Sequence, residues 1–466
     1  MTDTQFAGLH RALYHATDYL AGLDRRPVHA STDLDLLRAR LGGDVPESGT
    51  DPARVIDDLV AATAGGHLGC AGGRFYAWVI GGGLESAVAA DWLTAVWDQN
   101  AALYACGPAA AVVEEVAGAW LKDLLGLPAT ASFAFTTGCQ LAHFTCLAAA
   151  RHAVLGRTGW DVNADGLFGS PPVRVLVSDQ RHASVDRAVR FLGFGDRSVV
   201  PVATDVAGRI DPTAFARALG DGTGPLIVVL DAADLNIGAF DPFGELIPVA
   251  RAAGAWVHID GAFGLMARAS RTKRALTAGV ELADSWATDG HKWLNVPFDC
   301  GLAFVRDRVA HRASMTVSAS YIAAEKLARD QIDWNPEWSR RGRGFAVYAA
   351  LRELGRYGLE NLIDRSCVYA RTLVDEIGRM VGAEVLWESR LNQGLVRFLD
   401  PSPGATDADH NARTDQVIEA VNRTGEAFFS GTTWRGRRAM RVSVVNWRTT
   451  EDDVHRAVAA VAAVLG

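Results

Sequence analysis

Between about residues 130 and 310 short apolar runs alternate with helical ones, and no other feature narrows the fold as much. The runs predict strands at 131–135, 173–177, 197–202, 225–231, 255–260 and 301–305. Each is bounded by turn residues and has the length of a strand rather than a helix. Strands joined by helical crossovers run parallel, and the helices cover both faces of the sheet. Ligands in such sheets bind beyond the carboxyl ends of the strands. Upstream, the spacing predicts helices at 5–21, 52–64, 86–97 and 109–124, the last stopped by Gly126-Leu127-Pro128. Downstream of a polar stretch near 325–343, a helix at 344–356 leads into a smaller α+β region. Its predicted strands are 394–399 and 440–445, and its last helix is 450–464. The expected class is α/β: a large domain on a mainly parallel sheet, then a small C-terminal α+β domain.

Composition closes off several functions. A chain of 466 residues holds two or three sizeable cores, and 49% hydrophobic residues mark an ordinary globular protein. A net charge of −8 offers no basic footprint for nucleic acid. No apolar run approaches the roughly 18 residues of a membrane span. Met1-Thr2-Asp3-Thr4-Gln5 has no apolar h-region, so no signal peptide is expected. The cysteines at 70, 106, 139, 146, 300 and 367 form no C-x-x-C pair, which suits a reducing cytoplasm. Neither they nor the histidines predict a metal site.

Two motifs carry the chemistry. Val257-His258-Ile259-Asp260-Gly261-Ala262 is an apolar strand delivering a carboxylate at its end. Asp289-Gly290-His291-Lys292-Trp293 follows with a lysine. That order suits pyridoxal 5′-phosphate (PLP): Lys292 forms a Schiff base with the aldehyde, and Asp260 keeps the pyridine nitrogen protonated, so the ring becomes an electron sink. A phosphate needs amides at a helix N-terminus. Phe133-Ala134-Phe135-Thr136-Thr137-Gly138-Cys139-Gln140, a strand, a small turn and the helix Leu141–Val154, supplies them. His182, after the strand Val173–Val177, is placed to stack on a flat ring, and Ala262 is small enough to lie beneath one. Alone, each has a plainer reading: a turn glycine, a helix-cap histidine, an ion-paired aspartate, a surface lysine. Their common order at strand ends argues for the joint reading.

With these residues the chain resembles the PLP-dependent group II amino-acid decarboxylases, the aromatic-amino-acid, histidine, tyrosine and glutamate decarboxylases. The resemblance also takes in Arg74-Phe75-Tyr76, Gly81-Gly82, Ala90-Asp91, Asn100, Pro108, the run from Glu114 to Trp120, and Asp299-Cys300. It implies a fold-type I PLP-dependent transferase fold and a homodimer with the active site at the subunit interface. Its expected layout is an N-terminal helical segment packing on the partner (1–75), a large PLP-binding domain (76–320), a mobile loop region (321–343) and a small C-terminal domain (344–466). It implies Lys292, His182 and Asp260 as catalytic residues. Thr137, Gly138, Cys139, Gln140, Ala262, Ser285 and His291 join them around the cofactor. Trp78 and Tyr104 lie in segments that line the family's substrate pocket, and suggest an aromatic or bulky L-amino acid; dimer packing is the alternative for both. Arg441 is a further candidate from the small domain, with structural pairing as its alternative.

The chain departs from the family pattern in two places. Ala233 and Ile237 stand where a glycine and a threonine or serine are usual. Gln331 aligns with the loop tyrosine thought to protonate Cα, and an amide is no useful acid at neutral pH. Tyr321 is the nearest tyrosine in sequence. The expected reaction is therefore decarboxylation of an L-amino acid to the amine. The alternative is other PLP chemistry: oxidative loss of CO₂ and ammonia to an aldehyde, a lyase or aldolase reaction, or transamination. A silent, cofactor-free dimer is the reading from outside enzymology, and Lys292 with Asp260 speaks against it.

Overall fold

The computed structural model of the chain describes residues 5–316 and 329–466. The chain divides into two compact units, one of Gly81–Arg371 with Trp387–Gly394, the other of Met1–Ile80, Thr372–Leu386 and Leu395–Gly466.

The larger unit is built on a seven-stranded sheet: β1 Ser132–Thr136, β2 Arg174–Ser178, β3 Val199–Val202, β4 Leu226–Asp231, β5 Trp256–Asp260, β6 Ser285–Asp289 and β7 Gly301–Val305. The spatial order is β1-β7-β6-β5-β4-β2-β3. All neighbours pair in parallel except those of β7, which runs antiparallel to both β1 and β6. Six strands fall within two residues of the predicted ones. The seventh, β6, has the sequence Ser-Trp-Ala-Thr-Asp, whose weak apolar pattern hides a strand that tertiary burial makes complete. Val175, Val177, Ile227, Val229 and Trp256 bury one face of the sheet against Ala142, Cys146, Ala149 and Val154 of the helix Cys139–Gly156. Burying such side chains contributes about 1.5–3 kcal/mol each for the larger ones. This helix therefore lies clamped across the strands, its N-terminus at their carboxyl edge.

Register brings the strand ends together. Asp231 of β4 is level with Asp260 of β5, and Asp260 with Ala287 of β6. Thr136 and Asp289 both pair with Gly301, so the ends of β1 and β6 meet at the start of β7.

The second unit contains the helices Ala7–Gly22 and Pro52–Thr63, joined by Arg11 and His15 on Asp57, each at 2.6 Å. The buried Arg74 guanidinium donates to the carbonyls of Leu23, Asp24, Arg26, Gly425 and Glu426, tying distant segments of this unit together. Four further strands, β8 Ala383–Arg390, β9 Gln393–Phe398, β10 Ser430–Trp434 and β11 Arg437–Ser443, form a sheet in the order β10-β11-β9-β8. Polar composition conceals β8 and β10 from the sequence reading. The helix expected at 344–356 continues to Gly378 across a kink at Gly355, whose φ of 59° only glycine adopts freely.

Candidate functional site

Three carboxylates, an amine and a helix N-terminus converge at the carboxyl edge of the large sheet. Gly138, at φ 155°, turns the chain from β1 into the helix Cys139–Gly156. The first turn of a helix leaves backbone N–H groups without intrahelical partners and carries the positive end of the macrodipole. Here the Cys139 N–H donates to Asp289 Oδ1 at 2.6 Å. The other oxygen of Asp289 lies 3.0 Å from Lys292 Nζ, and Asp289 itself is buried. His291 Nε2 stands 3.6 Å from Asp289 Oδ1, while its Nδ1 accepts the Cys300 N–H at 3.2 Å. Burial pushes the His291 pKa down, so the ring is neutral. Burial would also lower that of Lys292, but the surrounding acidic groups, Asp289 foremost and Asp260 among them, together offset it and raise the pKa of the amine.

Asp260 sits one strand over. Burial opposes its charge, yet His143, the Ala262 N–H and His182 together outweigh burial and hold its pKa well below the usual range. Its Oδ1 accepts from Ala262 N at 3.1 Å, and its Oδ2 lies 3.4 Å from His143 Nε2. A buried relay continues from there. His143 Nδ1 is 2.9 Å from His258 Nε2, and His258 Nδ1 is 2.9 Å from Ser285 Oγ. His143 and His258 were not singled out from sequence. Their signal was periodicity: His258 is two residues before Asp260 on a strand, and His143 four after Cys139 on a helix, so each shares a face with its partner. Asp289, the end of the unrecognised strand, was also missed.

Ser285 is a correction. It was expected beside the phosphate, but it begins β6, at the opposite end from Asp289. Its hydroxyl is fully buried, accepting from Trp256 Nε1 at 2.9 Å. Four residues of strand span about 13 Å, too far for Ser285 to reach the Cys139 N–H.

Other expected residues fall as follows. His182 caps the helix Ala183–Phe191 through Ser184 and is exposed, yet close enough to Asp260 to act on its charge. Thr137 is exposed beside Gly138, and Thr136 Oγ1 donates to the Gly138 carbonyl at 3.0 Å. Gln140 Nε2 is buried without a protein partner. The turn at Ala233 is held by Asp234, whose carboxylate accepts from Asn236, Ile237 and Ala239. Ile237 is fully buried. Tyr104 and Gln331 come from converging segments: the Tyr104 N–H donates to Asp330 at 2.8 Å and the Ile332 N–H to Ala102 O at 3.2 Å. Gln331 is buried in this turn. Trp78, in the other unit, packs on Phe75 and Phe428 at φ 55°. Arg441 is buried on β11. Tyr321 lies outside the described residues.

Cys139 Sγ, His143 Nε2 and an Asp260 oxygen lie within 4.8 Å of one another. Burial, with Asp289 and Asp260 nearby, pushes the pKa of the Cys139 thiol far up.

Residues 45–399 match the family model described as the pyridoxal-dependent decarboxylase conserved domain. The chain is 28% identical to the aromatic-L-amino-acid decarboxylase of Bacillus atrophaeus, over 94% of this chain and 90% of that one. It is 30% identical to the L-2,4-diaminobutyrate decarboxylase of Rhizobium meliloti (strain 1021), over 80% and 74%. The crystal structure of Oryza sativa TDC with PLP and tryptamine superposes with a TM-score of 0.92 at 24% identity, over 100% of this chain and 98% of that one, a likeness of fold.

The residues present fit PLP. The helix N-terminus already holds an anion, the Asp289 carboxylate, which stands in for a phosphate oxygen. Gln140, in the first turn of the same helix, has a buried amide nitrogen with no hydrogen-bond partner. A half-buried amine and an aspartate held ionised complete the set.

Proposed function

The chain belongs to the pyridoxal-dependent decarboxylase family and is a PLP-dependent carboxy-lyase, and from that premise we propose that it removes the α-carboxylate of an aromatic or bulky L-amino acid to give the amine. The observation that carries the assignment of residues is the pairing of Lys292 with Asp289 beside an Asp260 held ionised by His143. When bound, the cofactor supplies a cationic conjugated ring that takes up the electron pair left as CO₂ departs.

The protein's share is positioning and charge. Lys292 Nζ is the amine that anchors the cofactor's aldehyde carbon. Asp260 holds a proton at the pyridine nitrogen, and its depressed pKa keeps it the anion that task requires. His143, His258 and Ser285 fix the orientation of Asp260 from behind. The Cys139 N–H and Gln140 hold the phosphate, with Thr137, Gly138 and His291 alongside. His182 and Ala262 take the two faces of the ring. Tyr104, and Gln331 in the turn attached to its segment, line the substrate side. Gln331 is no acid, so the proton returned to Cα comes from another group.

The family resemblance and the exposed apolar residues Leu9, Leu13, Tyr14, Val55 and Leu59 on the N-terminal helices support a homodimer. Six free thiols support a cytoplasmic setting. No helix among the described residues is long and apolar enough to cross a membrane.

The test is borohydride reduction of the PLP-loaded protein followed by peptide mapping, alongside incubation with pooled amino acids. Expected are a pyridoxyl label on Lys292, CO₂ release and an amine whose mass identifies the substrate. A label on another lysine refutes the site. Turnover without CO₂ refutes the reaction, and aldehyde with peroxide in place of amine favours the oxidative alternative.

A further inference from the structure

The helix N-terminus that suits a phosphate is already engaged by a side chain of the same protein. Asp289 Oδ1 takes the Cys139 N–H at 2.6 Å, and its other oxygen takes the Lys292 ammonium at 3.0 Å. The carboxylate thus satisfies at once the donor a phosphate would use and the amine an aldehyde would use. It is buried at the end of β6, with Gly301 opposite on β7 and Gly138 within reach of its Oδ1. A Cβ built on Gly138 would stand 3.8 Å from that oxygen and 3.7 Å from His291 Cε1. Little room separates the carboxylate from the cradle.

We infer that Asp289 is an internal competitor for the cofactor's phosphate: in the cofactor-free chain it closes the anion cradle and clasps the lysine, and in the loaded chain it sets the affinity for the phosphorylated cofactor. The inference rests on the proposed cofactor site. A phosphate monoester carries a charge of about −1.5 to −2 near neutral pH. Seating it on the Cys139 N–H requires the Asp289 oxygen to leave, and leaves a carboxylate anion beside a second anion. The nearby cations are Lys292, whose nitrogen would be drawn away into its bond with the aldehyde, and the helix dipole. His291 stands 3.6 Å from the same carboxylate, and burial opposes its protonation. The chain therefore holds PLP against a repulsion that it could have avoided with a neutral side chain at 289. The same carboxylate spares the cofactor-free protein an unsatisfied N–H at the helix N-terminus and a half-buried ammonium without its ion-pair partner.

Two effects of Asp289 must be separated. Its removal relieves repulsion of the phosphate, and it also frees Lys292 from an ion pair. The second acts equally on pyridoxal, which has the aldehyde but no phosphate. The readout is therefore the ratio of the dissociation constants of pyridoxal and PLP, measured from the absorbance of the lysine-bound cofactor on cofactor-free protein. In Asp289→Asn and Asp289→Ser the preference for PLP over pyridoxal should rise about tenfold or more, the scale of removing one unit charge from near-contact with a phosphate. Asp289→Glu, which keeps the charge, should retain the low wild-type preference. An unchanged ratio in both neutral variants overturns the inference, even if both cofactors bind more tightly. Wild-type protein that gains no lysine-bound absorbance with either compound overturns the proposed site itself, a separate failure.

Discussion

Glu114 and Arg340 form an ion pair in which neither side chain reaches solvent, with Arg340 Nη1 2.7 Å from Glu114 Oε1. Arg340 also donates to Ala101 O at 3.0 Å and to Phe135 O at 2.8 Å, so it pins the 329–343 segment to the penultimate residue of β1. β1 leads directly into Gly138, and the pair therefore braces the anion cradle from behind. At an effective dielectric of about 20 two unit charges 2.7 Å apart attract by about 6 kcal/mol. Desolvation offsets part of that, and breaking a buried pair costs about 3–5 kcal/mol because one charge is left uncompensated. Glu114→Leu leaves a guanidinium that cannot lose its proton, with the Glu337 carboxylate still 3.7 Å from its Nε, so a cost at the lower end of that range is expected at every pH from 5 to 8. Arg340→Met leaves a carboxylate that can. Burial already pushes the Glu114 pKa up, with Arg340 opposing it. Without Arg340 it rises further, so the folded state binds a proton that the unfolded state does not. The stability of Arg340→Met is then greatest at low pH and is lost as pH rises through the native pKa of Glu114. Urea unfolding of both single variants and the double variant at fixed protein concentration measures this. The expected coupling is at least about 2 kcal/mol, with the double variant more stable than the sum of the singles predicts. Additivity within about 0.5 kcal/mol, or a pH-independent deficit in Arg340→Met, refutes the reasoning.

Three further outcomes are expected. Asp260→Asn should fold, with some loss of stability as the anion's partners are left with an amide, and should release CO₂ on the order of 100-fold more slowly or worse, since a neutral amide cannot hold the ring nitrogen cationic; undiminished turnover would remove the electron-sink role from this residue. Gly301→Ala drives a methyl into the Gly138 carbonyl group, where the backbone must move; equilibrium titration should show PLP affinity at least about tenfold weaker and a stability loss of about 1–3 kcal/mol, and unaltered PLP binding would mean the cradle tolerates the shift. His311 is buried between Ser132 and the Trp334 carbonyl, and burial, helped by Arg329, lowers its pKa from 6.5 to about 3. The unfolded chain binds that proton first, so the contribution is intact above pH 6.5 and is lost as pH falls towards 3, by about 5 kcal/mol at most. His311→Gln should flatten that acid limb in urea midpoints measured against pH, and parallel curves for the two proteins would count against it.

The sequence by itself determined the parallel sheet, because six of its seven strands are apolar runs set between helical ones. It also determined the lysine and aspartate that define the chemistry, since Asp260 ends an apolar strand and Lys292 follows in a distinctive polar–aromatic setting. It did not disclose β6, whose Ser-Trp-Ala-Thr-Asp pattern becomes a strand only through pairing on both sides. That omission had consequences. Without β6, only the resemblance places Ser285, around the cofactor, and nothing in the sequence gives Asp289 a role. Strand direction decides both positions: it buries Ser285 under Trp256 and delivers Asp289 to the helix N-terminus. The relay through His143 and His258 was hidden for a similar reason. Periodicity shows which residues share a face of one element, but not which face of a helix meets which face of a sheet. The position of Gln331 illustrates the converse, for a residue chosen by alignment with a loop lies buried in a turn fixed by hydrogen bonds from Ile332 and Tyr104. Local pattern settles what an element is and which side chains it offers. Only the packing of elements from distant parts of the chain decides which charges meet, because burial and partner charges act across space rather than along the sequence.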